Sequence, residues 1–185
     1  MEWTIPGTVL TGAREDVENS IRQIEGMFLG GGMIRSQLAS VSGVEAHDIQ
    51  NWVKRGFLPG PVNKRYSINQ FCRIVIINML RSAMTMEKIC SLLAYVNGRL
   101  DDESDDLIDD TVLYFMFLRL AARARHIGGK DNWDTAIADI LKDYLEPVPG
   151  AKDRIDQVLR ILLTAWVGVQ TIRRAEQMLS ALHEA

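Results

Sequence analysis

The chain has 185 residues, 47% apolar and 24% charged, with a formal net charge of −3. That suffices for one ordinary domain or two small ones with a packed core, and it excludes wholesale disorder. The longest apolar run, "ILLTAWVGV" at 161–169, falls far short of the ~20 residues that span a bilayer, so no membrane partner is expected.

The opening "MEWTIPGTVLTG" has no basic segment followed by an apolar one, and thus no export signal is read there. Cys72 and Cys90 are then expected to be reduced, buried thiols in a cytoplasmic protein. The charge is uneven. Residues 1–33 carry two basic and five acidic side chains, residues 34–99 nine and three, and residues 100–185 ten and sixteen. A basic middle between acidic flanks points to a polyanionic partner for the middle alone.

In chain order, Val17, Ile21, Ile24 and Phe28 share one helical face, which predicts a helix over 13–28 stopped by Gly30, Gly31 and Gly32. Ile34, Leu38 and Val41 predict a short helix ended by Ser42-Gly43, and "EAHDIQNWVKRG" a second ending at Gly56. "FLPGPVNKRYS" is irregular or a short β-turn structure. Ser67 is an N-cap for a helix reaching about residue 82, and Met84–Val96 forms the next helix. In "DDESDDLIDD", Ser104 is expected to cap a helix over 107–126 with Asp105 and Asp106 in its first turn. "GGKDN" at 128–132 is a turn, 133–145 a helix, and 152–183 one long helix or two, with Ile155, Leu159, Leu162, Trp166, Val169 and Ile172 as its stripe. Little strand is expected beyond the turn at 57–66. "LYFMFL" at 113–118 is bundle core or a dimer interface, or lines a ligand pocket.

Two short helices around a glycine turn outline a helix-turn-helix. On a helical wheel Ala46, Ile49, Trp52 and Val53 fall on one side, and His47, Gln50, Asn51 and Lys54 on the other. The second set can read base edges or touch phosphate: Gln and Asn suit adenine, Lys suits guanine or the backbone. Trp52, sharing the face of Ile49, belongs to the core. "PGPVNKRY" then forms a small basic wing that places Lys64, Arg65 and Tyr66 against phosphates. Arg55 and Asn63 complete the candidate DNA contacts.

This order of parts resembles the winged helix-turn-helix of the MerR family of bacterial regulators. There, a helix-turn-helix runs into a "G-[LF]-[LI]-P-x-P" segment, then a basic wing ending in aromatic-Ser, then two more helices. "GFLPGP" at 56–61, "NKRYS" at 63–67 and the helices that follow carry the resemblance over about residues 34–97. The string "IQNWVKRGFLPGPVNKRYS", followed by "SDDLIDD", also resembles an uncharacterised, MerR-like bacterial family known only as a domain of unknown function. In place of the long dimerisation helix usual in MerR proteins, a bundle broken by Pro and Gly is read here.

The expectation is therefore a mostly all-α protein: an N-terminal helix and Gly linker over 1–33, a MerR-like winged helix-turn-helix with a short β wing over 34–99, and a C-terminal helical dimerisation and effector region over 100–185. Its function would be sequence-specific transcriptional regulation, as a homodimer on a palindromic operator of double-stranded DNA. A small-molecule or protein effector would bind the C-terminal helices. The rival reading is a helical protein-interaction module on the same scaffold that does not bind DNA. His47, His126 and His183 are scattered, and no phosphate-binding Gly loop or nucleophile elbow is present, so no enzyme, cofactor or metal is expected.

Overall fold

The computed structural model describes residues 2–98, 100, 105–124 and 130–183. It opens on an antiparallel hairpin, β1 (Glu2–Thr4) and β2 (Thr11–Ala13), with Trp3 opposite Gly12. The sequence reading had no strand here. Strands of three residues are too short to display alternation, and their sequences, EWT and TGA, carry little apolar pattern. A turn of 3-10 helix, Arg14–Asp16, leads into α1 (Val17–Phe28), where Asp16 accepts from the Asn19 N–H at 3.1 Å. The helix expected from residue 13 thus begins after its cap.

Seven further helices follow among the described residues: α2 (Arg35–Ser42), α3 (Ala46–Lys54), α4 (Ile68–Leu80), α5 (Met86–Asn97), α6 (Asp110–Arg123), α7 (Lys130–Ile140) and α8 (Ala151–His183). Ser67 caps α4 as its sequence implies. Its hydroxyl accepts from Gln70 N at 3.2 Å, and Gln70 Oε1 accepts from Ser67 N at 2.8 Å. The acidic run behaves differently from expectation. Ser104 lies outside the described residues, and α6 is capped by Asp109, which accepts from Val112 N at 2.8 Å. Asp105 and Asp106 therefore precede the helix and do not sit in its first turn. The expected turn at 128–132 falls partly outside the described residues, and its last three positions are helical; α7 ends at Ile140, before the predicted 145.

The core is built on α4 and α6. Every side chain from Phe71 to Ile77 is buried, and so is every one from Leu113 to Leu118. "LYFMFL" is thus part of the core of the chain. The most extensive helix–helix packing is α4 on α6, followed by α6 on α8, and α1 packs on both β2 and α6. One hydrophobic cluster runs from Trp3 to Trp166 through all three segments read from the sequence.

Arg73 and Asp110 form a buried ion pair between α4 and α6, Nη1 to Oδ2 at 3.0 Å. Burial pushes the Asp110 carboxyl above its ordinary range, opposed by the Arg73 charge. The pair also holds the connection after α3, because Arg73 Nε donates to Phe57 O at 3.1 Å. Gln70 Nε2 pins the same segment through Pro59 O and Gly60 O, at 3.1 and 2.8 Å.

α8 is one unbroken helix of 33 residues. By length and composition it could cross a membrane. Its stripe of Ile155, Leu159, Leu162, Trp166 and Val169 is instead buried in the core. Ile172, expected to continue that stripe, is 58% exposed. From Thr171 to Leu182 every residue is exposed, so the second part of the helix leaves the body.

Candidate nucleic-acid interface

α2 ends at Ser42, and Gly43 turns the chain with φ +69°, a left-handed value that favours glycine. α3 then packs on α2. Leu38, Val44, Ile49 and Trp52 are buried between them and the body, and Ala46 and Val53 are half-buried at the margin. His47, Gln50, Asn51 and Lys54 are all exposed, together on the opposite face. The division read from helical periodicity is the one the fold adopts.

Asp48 lies on the flank of this face. Its Oδ2 meets Arg81 Nη1 at 3.4 Å, and its Oδ1 is 3.3 Å from His47 Nε2. Arg81, at the end of α4, thus offsets the charge of Asp48 beside the exposed face of α3. Arg55 is oriented elsewhere. Its guanidinium sits 3.4 Å from Glu87 Oε1 and 4.6 Å from the centre of the Phe57 ring. It braces α3 against α5 and is not grouped with the exposed face of α3.

The segment after α3 forms a two-residue hairpin. Val62 and Arg65 exchange both backbone hydrogen bonds, at 3.0 and 2.9 Å. Between them Asn63 and Lys64 have φ of +50° and +63°. Positive φ at both central positions marks a type I′ turn, for which Asn-Gly is the favoured pair. Asn63 tolerates that conformation; Lys64 adopts it at a cost on the order of 1–2 kcal/mol. Lys64 is exposed at the tip.

The two residues after it are tied to the body of the protein. Arg65 Nη1 donates to Gly32 O at 2.8 Å, and the residue stays exposed. Tyr66 pairs with Met33 through backbone bonds of 3.0 and 2.8 Å and is only 4% exposed. Pairing buries most of its ring, and burial raises its phenol pKa, while the residue still lines the cleft beside Lys64. Gly32 permits this bridge: at φ +94°, a Cβ there would fall 2.6 Å from Tyr66 O.

An open cleft of about 510 Å³ joins the hairpin to the two helices. Ile34, Arg35 and Ser36 from the start of α2, Ala46 from the start of α3, and Pro61, Lys64 and Tyr66 from the hairpin segment line it. Sequence reasoning missed Arg35 and Ser36. Their position at a helix N-terminus beside a candidate reading helix was the available signal.

Residues 34–117 match the profile of a family described as "Domain of unknown function (DUF1836)". The matched stretch takes in α2 to α5 and ends inside α6. "Uncharacterized protein YkrK" of Bacillus subtilis (strain 168) is 33% identical to the chain over 81 residues, 42% of this chain and 35% of that protein. The chain spans about a third of the length of this curated relative. No solved structure matches.

Proposed function

We propose that the chain is a sequence-specific DNA-binding transcriptional regulator of the MerR-like winged helix-turn-helix type, working in the cytoplasm as a homodimer on a palindromic operator. In this reading α2 and α3 are the helix-turn-helix, and the 62–65 hairpin is the wing. α3 enters the major groove of double-stranded DNA. Gln50 and Asn51 make bidentate contacts to adenine, Lys54 reaches guanine or phosphate, and His47 contacts a base edge or phosphate. Lys64, with Asn63 beside it, meets phosphate from the tip, and Arg35 and Ser36 do so from the first turn of α2. Arg65 and Tyr66 act indirectly, by fixing the hairpin to the body.

The observation that carries the reading is the placement of Lys64. A lysine is held at positive φ where glycine would fit better, at the tip of a hairpin that shares a cleft with the start of α3. Strain of this kind clusters at functional sites. A cation kept there beside an exposed Gln, Asn and Lys face suits a polyanion.

The exposed end of α8 supports the dimer. Ile172, Ala175, Leu179 and Leu182 recur at spacings of three, four and three, the a/d pattern of a coiled coil, with Met178 beside them. A single reader covers one half-site, and a second copy supplies the other. The test is to incubate the full chain with fragmented genomic DNA and sequence what it retains. The reading predicts enrichment of an inverted repeat with half-sites about 10 bp apart or a multiple of that. Recovery of fragments at their input frequency would overturn it and leave the interaction-module reading.

A further inference from the structure

A cleft of about 570 Å³ lies between the N-terminal hairpin and α8, on surfaces the proposed reader does not use. Trp3, Arg14, Asn78, Gln170, Arg173 and Arg174 are among its lining residues, and no carboxylate lines it among the described residues. Three arginines therefore line one cavity. Arg14 stacks on the Trp3 ring, 4.9 Å from its centre. Trp3 is 8% exposed, and its indole N–H and the Arg14 Nε–H are both buried without a hydrogen-bond acceptor.

We infer that this cleft binds a small phosphate monoester, held by the arginines that line it. Guanidinium forks match the oxygens of a phosphate in pairs, and a dianion answers the positive charge better than a single carboxylate. The volume lies within the range of small-molecule sites, so it has room for the organic part of an ester. A duplex backbone is the wrong occupant. The cleft lies between the N-terminal hairpin and α8, away from α3 and the 62–65 hairpin.

On the reading of the chain as a DNA-binding regulator, occupancy reaches the reader through short links. Asn78 Nδ2 donates to Gly7 O at 3.1 Å inside the cleft and to Ser42 O at 2.9 Å at the end of α2. Val9 N donates to Val41 O at 3.0 Å. Both bonds act on the last turn of α2, just before Gly43. On the other wall, Arg173 and Arg174 stand where α8 leaves the body. An anion held between these walls fixes the reader relative to the exposed tail of α8.

The test uses the full chain, tryptophan emission and calorimetry, with inorganic phosphate, a nucleoside 5′-monophosphate and its parent nucleoside as probes. Saturable binding of phosphate, tighter for the monoester and absent for the nucleoside, is the expected result. Arg173→Gln/Arg174→Gln should weaken it by about tenfold or more, the value of a lost charge-assisted contact. Its thermal midpoint should stay unchanged, since both residues are exposed. Arg14→Lys, which keeps the charge and loses the fork, should weaken it as well, whereas Lys54→Ala/Lys64→Ala should leave it intact. No saturable response to phosphate, an equal response to sodium chloride at matched ionic strength, or full binding by both arginine variants would overturn the site. Phosphate binding with unaltered DNA affinity would overturn the coupling alone. Phosphate binding by a chain that never binds DNA would uphold the site and remove the regulator reading.

Discussion

Lys64 concentrates the account in one side chain. If its strained backbone is tolerated for the sake of its charge, Lys64→Gly should relieve the strain and still weaken DNA binding. We expect a gain of up to about 1 kcal/mol in denaturant unfolding, the left-handed penalty less the added chain entropy of glycine. Loss of DNA affinity should accompany it. A variant that is more stable and binds DNA as well as the parent would show the lysine to be incidental. On α3 the two faces should separate stability from recognition. Trp52→Ala should cost about 3–5 kcal/mol as a buried aromatic. Gln50→Ala or Asn51→Ala should unfold within about 0.5 kcal/mol of the parent and lose roughly 1–3 kcal/mol of discrimination at one base pair. Thermal melts and operator-variant titrations read both. This face was legible in the sequence because periodicity alone separates Ile49 and Trp52 from Gln50 and Asn51. Tyr66 was not legible. Whether a wing aromatic faces out or in depends on its pairing with Met33, more than thirty residues away and invisible to a local pattern.

At the scale of elements, most helices were legible, because their stripes and caps are local. Ser67, Gly43 and the glycines after α1 end or begin helices close to where their chemistry predicts. The hairpin of β1 and β2 was hidden, since its stability comes from contacts made elsewhere. Gly7, at φ +77°, presses so close to α4 that a Cβ would lie 2.3 Å from Val75 O. The docking of α1 on α6 adds an element whose pH response can be derived. Arg119 donates to both Glu18 oxygens, at 2.6 and 2.9 Å. The hydrogen bond from Arg119 is the main cause holding the Glu18 carboxyl below the usual glutamate range. A depressed carboxylate pKa contributes stability that is present above the unfolded value and lost as pH falls through the folded one. Glu18→Gln should therefore cost at most about 1 kcal/mol at neutral pH, given the exposure of the pair. It should also flatten the loss of stability on acidification in the window just below the ordinary glutamate pKa. Parallel acid titrations of parent and variant check this; identical curves would remove the pair from the stability of α1.

For the whole molecule, the continuous core changes how assembly can be tested. Cutting the chain at Gly98 would strip α4 of α6 and α8, so the dimer is better probed on the exposed tail. Leu179→Glu/Leu182→Glu should leave the melting temperature nearly unchanged and turn the sedimenting species from dimer to monomer. A parent chain that sediments as a monomer at micromolar concentration would contradict the proposed assembly. The extent of α8 was only half legible: its stripe showed in the sequence, but not that the core releases it after Val169. The central claim, that the basic middle of an acidic chain grips DNA, is tested most directly by binding to duplex DNA across a salt series. For the parent, log affinity should fall linearly with log salt, with a slope near −0.9 for each phosphate neutralised. Lys54→Ala/Lys64→Ala should weaken binding and flatten the slope by about that amount per lost contact. An affinity that ignores salt, or a slope that the two substitutions leave untouched, would contradict the account.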